Sequence, residues 1–336
     1  MYKPNELKQD TIGVYKRFPK LSTYKKNVEK WSLDITSDIE RLERCANGED
    51  FRFSYMSVEM CKKLNMAYQE DQYCWTSMAH DLQRYSLNLI YQSYAQCFNK
   101  CVAWEDTFRK GITYRYWAIR TYFLFCEEAL IEYHKGIRAQ RLRNGLRDIG
   151  SLLGFCLAQG WLEFARELRN LINFSLENDM INSGNDTFGR RRTQHFLVRL
   201  LNAYDGVEDV QKSLGIKCAY DVHLLNELVA KWDMECNQEF INMIYALCDR
   251  HTHQCRHDSF NNNRYYDFNN IDLEYYFPLE VLSIFYLRKT RGLEIPVINH
   301  PIMTSGLERI SQTSQPVIDE FLTNLLKFAR KSCSRI

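Results

Sequence analysis

Proline is scarce in this sequence, and the middle of the chain has none. Only six of the 336 residues are proline, and none lies between Pro19 and Pro278. A proline inside a helix removes a hydrogen bond and clashes with the preceding turn, at a cost of about 3 kcal/mol. A proline-free interior of this length therefore predicts helix.

The chain also lacks long apolar runs and any strong excess of charge. No stretch approaches the roughly 18 apolar residues that span a bilayer, and the opening residues Met-Tyr-Lys-Pro-Asn-Glu contain no apolar core of a signal peptide. The formal net charge is only +2, which gives no reason to expect a nucleic acid or an anionic membrane as partner. We therefore expect a cytoplasmic protein with no membrane partner and no direct nucleic-acid partner.

Catalytic and cofactor motifs are missing as well. The sequence contains no Gly-rich phosphate loop, no Gly-x-Ser-x-Gly and no His-Glu-x-x-His. Its twelve cysteines are spread along the chain at helical core positions such as Cys126 and Cys156, which indicates reduced thiols used as small apolar side chains. We therefore expect no catalytic residue, no cofactor and no disulfide framework.

What the sequence does have is the periodicity of amphipathic helices. Apolar residues recur at three- and four-residue steps over about 72–98 and 105–134, and a helical hairpin turns at Gln159-Gly160. Shorter helices are predicted at about 224–232 and 238–257, and no fixed repeat period recurs. The predicted fold class is all-α: a multi-helix bundle of helical hairpins, built as one bundle or as two helical subdomains, with little or no sheet.

Caps and breakers mark where helices start and stop. Ser22 opens a polar helix that runs to about Cys45. Pro278 suits the first turn of a later helix that stops at Gly292, and Ser314 and Pro316 are expected to open the last one.

A turn-rich stretch, 182–189, predicts a boundary between two helical regions. The N-terminal region would cover 1–181 and the C-terminal region 190–336. The run Arg190-Arg191-Arg192 directly after the boundary is predicted to be solvated surface, because adjacent residues of a helix point in different directions.

The densest group of metal-binding residue types lies near the end of the predicted helix 238–257. At about 100° per residue, Cys248, His251 and Cys255 share the apolar face of this helix. Arg250 and His257 point almost oppositely, toward water. The group therefore cannot close a four-ligand zinc site by itself, so we predict no metal site, although the sequence leaves open whether the first three residues bind one.

Arg250 and His257 allow a second interpretation. They resemble the loose Arg-polar-x-His pattern of the HEPN family of all-helical ribonucleases. The resemblance implies that the arginine would hold a phosphate and that the histidine would act as acid or base. The alternative is a solvated helix end.

An irregular loop that follows combines aromatic and acidic residues. It contains Tyr265, Tyr266 and Asp267, with Asp272 and Glu274 just beyond, and Asn-rich turns flank it. Aromatic anchors among carboxylates can bind a basic protein surface. We therefore predict that these five residues contact a partner, the alternative being a connection that tucks its tyrosines under the domain.

The segment 264–303 resembles immunity proteins of bacterial polymorphic toxin systems. Its helix start, with Tyr276, Phe277 and Glu280 at the aromatic, aromatic and acidic positions, resembles the Gly-Tyr-Trp-x-x-Glu start in immunity proteins against the PoNe class of toxic nucleases. The continuation 288–303 resembles the closing helix and Gly-hydrophobic-Pro tail of the immunity protein 49 family.

This resemblance implies a stoichiometric inhibitor. Such a protein binds its cognate toxin, here a nuclease effector, in the cytoplasm and blocks it without catalytic residues or cofactors. Two alternatives stay open: an all-helical ribonuclease that uses Arg250 and His257, and a helical scaffold or adaptor with no connection to a toxin.

Overall fold

Helices account for the regular structure of the residues that are described here. The structure, a computed structural model, describes residues 13–16, 18–31, 34–48, 70–133, 145–181, 191–255, 267–268, 271–312 and 315–332, with the backbone alone at 70–77, 124–133, 271–272 and 330–332. Across these residues the fold is all-α and contains no strand, which confirms the predicted fold class. No helix in this part of the chain combines the length and the apolar character needed to cross a bilayer.

The helices are numbered here in chain order. They are α1 Leu21–Val28, α2 Thr36–Ala46, α3 Glu70–Phe98, α4 Trp104–Tyr133, α5 Gly145–Gln159, α6 Leu162–Glu177, α7 Arg192–Asp205, α8 Val210–Ser213, α9 His223–Lys231, α10 Gln238–Gln254, α11 Ile271–Glu274, α12 Leu279–Thr290 and α13 Glu320–Ser332. Short 3-10 turns occur at Lys217–Ala219, Pro301–Met303 and Leu307–Arg309.

The chain divides into two compact units that do not follow the order of the sequence. The first unit consists of Met1–Lys30, Cys97–Lys100 and Gln140–Gln315, and the second of Trp31–Gln96, Cys101–Ala139 and Pro316–Ile336. The expected boundary segment, 182–189, lies outside the described residues. Helices on both sides of it, α5 and α7, pack together in the first unit. The expected division into 1–181 and 190–336 therefore does not coincide with the compact units.

The first unit is built around α5, in which every residue except Arg147 and Asp148 is buried. It packs against α6, α7 and α12, and two glycines allow two of these helices to approach closely. A Cβ at Gly150 would lie 2.5 Å from the Cβ of Gln194 in α7, and one at Gly154 would lie 2.9 Å from the Cβ of Leu279 in α12. Both distances are too short for any larger residue. These contacts bring α7 and α12 against one central helix.

The predicted hairpin turn at Gly160 is confirmed. Gly160 has φ of 86°, its N–H donates to the carbonyl of Leu157, and α6 begins two residues later. A Cβ at this position would lie 2.3 Å from the carbonyl oxygen of Gln312. The turn therefore requires glycine both for its backbone conformation and for space.

The second unit joins α2, α3, α4 and α13 around an apolar core and an ion-pair network. Its core includes Leu42, Met78, Leu82, Tyr114, Leu322 and Leu325. Arg41 of α2 donates to both carboxylate oxygens of Asp81 in α3, at 2.6 and 2.7 Å, and also binds Asp38. Arg84 of α3 donates to Asp38 at 2.8 Å, so the four charges link the two helices in both directions.

Two predicted helix boundaries are wrong. The helix expected from Ser22 to about Cys45 is two helices, α1 and α2, and Asp34 accepts a hydrogen bond from the backbone N–H of Thr36 where the second begins. The last helix begins at Glu320 and not near Pro316, because Asp319 caps it through the N–H of Leu322 at 2.9 Å. At both helix starts an aspartate that the sequence analysis had not singled out accepts a backbone N–H.

Candidate functional site

The five residues predicted to bind a partner do not form a described surface patch. Tyr265 and Tyr266 lie outside the described residues, as does the side chain of Asp272, whose backbone belongs to α11. Asp267 and Glu274 are buried, with 0% and 4% of their surface exposed. Neither carboxylate is therefore presented to a partner in this structure.

Asp267 instead caps the N-terminus of α7 from a distant part of the chain. Its carboxylate accepts hydrogen bonds from the backbone N–H groups of Arg192, at 2.8 Å, and Thr193, at 3.1 Å, and from the Thr193 hydroxyl, at 2.7 Å. Arg191, the residue before the helix, has φ of 47° and provides no capping side chain. The first turn of a helix leaves N–H groups without partners inside the helix, and a carboxylate also suits the positive end of its dipole. Asp267 thus supplies the capping carboxylate that Arg191 lacks.

Arg250 compensates the charge of this buried carboxylate. Its guanidinium binds Asp267 and also donates to the Thr193 hydroxyl at 2.8 Å. Burial raises the pKa of Asp267, but the charges of Arg250 and Arg192 and the hydrogen bonds to the carboxylate lower it below the usual value. Arg250 was predicted on a wet helix face, and this is wrong: the side chain is buried because Asp267 lies there.

The neighbouring arginines are also buried, contrary to the prediction of solvated surface. Arg192 donates from Nε and Nη2 to the two carboxylate oxygens of Asp221, at 2.6 and 2.8 Å. Arg191 donates to the backbone carbonyl of Asp267 at 3.1 Å, and burial lowers its pKa to about 10. Arg190 lies outside the described residues. The described pair of arginines therefore stabilises the start of α7.

His251 joins α10 to α12 through a buried polar contact. Its Nε2 lies 2.7 Å from the backbone carbonyl of Glu274, and its Nδ1 lies 2.9 Å from a carboxylate oxygen of Glu280. A carbonyl can only accept, so Nε2 carries a proton. Nδ1 then either donates to the Glu280 carboxylate or accepts from its protonated form, and in both cases the pair holds one shared proton and has no net charge.

The pKa of His251 follows from this arrangement. Burial by itself would lower the pKa of the imidazole, but the charges of Cys255 and Glu280 and the hydrogen bonds to both raise it well above its ordinary value of 6.5. Burial raises the pKa of the Cys255 thiol. The cysteine is therefore a neutral thiol, and the contact with Glu280 stabilises the proton on His251.

The predicted common face of Cys248, His251 and Cys255 is confirmed, since all three side chains are buried together. The sulfur of Cys255 lies 3.4 Å from Nε2 of His251. Because both ring nitrogens of this histidine are committed to hydrogen bonds, neither offers a lone pair to a metal here. Among the described residues, no group of three His, Cys, Asp or Glu side chains is placed to bind a metal ion.

The aromatic positions of the immunity-protein resemblance lie in the interior of the first unit. The hydroxyl of Tyr276 donates to the backbone carbonyl of Pro19 at 2.6 Å, and its ring packs at 5.0 Å from that of Tyr24 in α1. The ring of Phe277 packs at 5.0 Å from that of Phe155 in α5. These residues therefore position the start of α12 against the central helix and the N-terminal segment.

Arg288 is a structural residue that the sequence did not reveal. It is fully buried, and Nη1 donates to the backbone carbonyls of Trp232 and Met234, both at 2.8 Å, while Nε donates to that of Glu294 at 2.9 Å. Its guanidinium also lies 4.1 Å from the centre of the Phe240 ring. An arginine in the last turn of a helix is usually solvated, so no sequence signal marks this role.

The tail after α12 is hydrogen-bonded to side chains of α10. His300 donates from Nε2 to Asp249 at 3.1 Å and accepts at Nδ1 from the backbone N–H of Ile302 at 3.4 Å. The N–H of Asn299 donates to the hydroxyl of Tyr245 at 3.0 Å. Asp249 also accepts from the N–H of Gly13 at 2.8 Å, so the tail and the N-terminal segment share one anchor.

The described residues singled out by the sequence therefore form a framework around α10 and α12. Arg250, the proposed phosphate-binding residue of the ribonuclease alternative, is bound to Asp267, and His257 lies outside the described residues. Comparisons of this chain with protein-family models, curated proteins and solved structures find no match.

Proposed function

We propose that this chain is an immunity protein that binds a cognate antibacterial toxin, a nuclease effector, and neutralises it in the cytoplasm. Inhibition is stoichiometric and non-covalent. The proposal starts from the resemblance of the segment 264–303 to immunity proteins of polymorphic toxin systems. It requires a stable helical frame and a specific surface, and it requires no catalytic group.

The observation that carries the proposal is the specific partner of Glu280. This residue stands at the acidic position of the resemblance, and its buried carboxylate meets His251 of α10 at 2.9 Å. The two aromatic positions, Tyr276 and Phe277, contact the backbone carbonyl of Pro19 and the ring of Phe155, respectively. The three positions thus hold the start of α12 against the N-terminal segment, the central helix α5 and α10, as expected of residues that maintain a fold.

A rigid joint of this kind serves an inhibitor. Binding costs less when the contact surface is already ordered, because fewer side chains and loops lose freedom on association. Nucleases bind the phosphates of nucleic acids with basic residues, and an inhibitor that covers such a surface gains from exposed carboxylates. The total charge of +2 does not oppose this, since the field at the interface matters and not the sum over the chain.

The ribonuclease alternative has less support. Its arginine would have to approach a phosphate, yet the guanidinium of Arg250 is buried between Asp267 and Thr193. The fold suits a scaffold or adaptor equally well. An immunity protein differs from a scaffold in that its partner is a toxin. An immunity protein is encoded beside its toxin, whereas a scaffold need not be.

The test is co-expression of this chain with the toxin encoded by the neighbouring gene. We expect the host to survive only when both are produced, and we expect the purified chain to abolish the toxin's nuclease activity at one equivalent. Death of the host together with undiminished nuclease activity would overturn the proposal. Cleavage of RNA by the purified chain, lost in His257→Ala, would favour the ribonuclease instead.

A further inference from the structure

The tail after α12 has the exposure pattern of a β-strand without belonging to a sheet. Over 296–300, buried and exposed residues alternate one by one: Pro296, Ile298 and His300 are buried, whereas Val297 and Asn299 are exposed. A period of two is that of an extended strand with one covered face. His300 has φ of −132° and ψ of 144°, within the extended region.

One edge of this extended segment has no backbone partner. Successive N–H groups of a strand point to opposite edges. The N–H of Asn299 faces α10, where it donates to Tyr245. In the part of the chain that the structure describes, the N–H groups of Ile298 and His300 make no hydrogen bond, although the two residues are only 8% and 5% exposed. Backbone groups of buried residues are nearly always paired, so this edge lacks a neighbour.

The segment is held firmly in its extended form. The side chains of Ile298, within the segment, and of Ile302, just after it, are buried, and His300 is hydrogen-bonded to Asp249 of α10. Val297, by contrast, has 94% of its surface exposed, next to the unpaired edge. A fixed, extended backbone with a free edge can accept a further strand at little cost in conformational entropy.

Exposed carboxylates lie near the start of the segment. Arg288 donates to the backbone carbonyls of Trp232, Met234 and Glu294, which places the α9–α10 connection beside the start of the tail. The exposed carboxylates of Asp233, Glu235 and Glu294 make no ion pair with the described residues. Asp233 and Glu294 interact electrostatically with the buried Arg288, and a partner strand bearing lysine or arginine would meet the exposed carboxylates of all three residues.

We propose that the segment 296–300 is the edge on which the toxin docks, adding an extended, Lys- or Arg-bearing segment of its own chain as a neighbouring strand. This inference rests on the proposed function and assigns it a surface. The partner's backbone pairs with the N–H groups of Ile298 and His300, and its side chains contact Val297 and the nearby carboxylates.

The experiment uses the full chain and, as probe, the toxin encoded by the neighbouring gene with its nuclease activity inactivated by substitution. Hydrogen exchange is measured with and without the toxin. The amides of Ile298 and His300 should exchange at least about tenfold more slowly in the complex, as expected for newly formed strand hydrogen bonds. The affinity of Val297→Arg should fall by about tenfold or more, because a bulky cation is placed against a basic partner. Val102→Arg is the matched control, since Val102 is 95% exposed and lies in the second unit, and its affinity should match that of the parent.

The outcomes separate this inference from the proposed function. If the toxin binds the parent but leaves both amides unprotected, and binds Val297→Arg as tightly as the parent, the docking edge is overturned while the immunity function stands. If the toxin does not bind the parent at all, the proposed function fails and the docking edge fails with it.

Discussion

Replacement of Asp267 by alanine tests whether this residue serves the fold or a partner. In the structure its carboxylate accepts two backbone N–H groups at the start of α7, the Thr193 hydroxyl and the guanidinium of Arg250. Alanine removes all four contacts and leaves a buried guanidinium without its counter-charge. If Asp267 bound a partner from the surface, the same change would leave folding almost untouched.

The expected cost follows from the two largest of these losses. Removing one partner of a buried ion pair costs about 3–5 kcal/mol, because the other charge stays buried and unpaired. Loss of a helix N-cap costs about 1 kcal/mol. Both effects act through one carboxylate and are not additive, so we expect Asp267→Ala to lower the free energy of unfolding by about 4 kcal/mol, close to a thousandfold in the equilibrium constant. Asp267→Asn keeps an acceptor oxygen but loses the charge, and we expect a loss of about 2 kcal/mol.

Urea denaturation followed by circular dichroism measures these changes. Hydrogen exchange of the amides of Arg192 and Thr193 locates them, since both should lose protection when the cap is removed. Glu208→Ala is the control: this glutamate is exposed, and its replacement should change stability by less than about 0.5 kcal/mol. A cost below about 1 kcal/mol for Asp267→Ala, with α7 still protected, would refute the structural role.

Three further predictions concern other parts of the frame. Because the pKa of His251 is raised in the folded protein, its proton contributes stability that is complete below about pH 6.5 and is lost as the pH rises through the raised pKa. Urea titrations across alkaline pH should show this loss in the parent but not in Glu280→Gln, and equal slopes would contradict it. Gly160→Ala should cost about 2–4 kcal/mol in the same assay, from its left-handed backbone and a Cβ 2.3 Å from a carbonyl oxygen, whereas Gly206→Ala, left-handed with open space around it, should cost about 1 kcal/mol. Asp319→Ala should lower the melting temperature of the second unit through a loss of about 2–3 kcal/mol, because it removes the cap of α13 and the acceptor of the buried Tyr114 hydroxyl, and an unchanged transition would argue against that role.

Local patterns were enough to predict most of the helices. The helices α3 and α4 begin within two residues of their predicted starts, because their apolar residues recur at helical steps over many turns. The hairpin at Gly160 was predictable because a glycine followed one amphipathic stretch and preceded another. The start of α13 was not, since Asp319 is held by Tyr114 and Lys110, which are about two hundred residues away in sequence.

The candidate site was harder to predict for the same physical reason. A charged residue in a loop is usually solvated, and nothing near Asp267 in the sequence indicates that it caps a helix beginning 75 residues earlier. The burial of Arg250 follows from its ion pair with Asp267. Helical spacing did predict correctly that His251 lies on the buried face, but not that Glu280 would meet it there.

The burial of these residues changes how toxin binding must be tested. Reversing the charge of Asp267 or Glu274 would place a lysine where no water reaches, so any loss of protection could arise from unfolding alone. Substitutions in this framework should therefore lower the yield of folded protein and the protection of the host together. Substitutions at exposed positions such as Val297 or Glu235 should leave the free energy of unfolding within about 0.5 kcal/mol of the parent while altering affinity. Only a loss of affinity at unchanged stability identifies a contact with the toxin, and the exposed tail beside the α9–α10 connection is where we expect it.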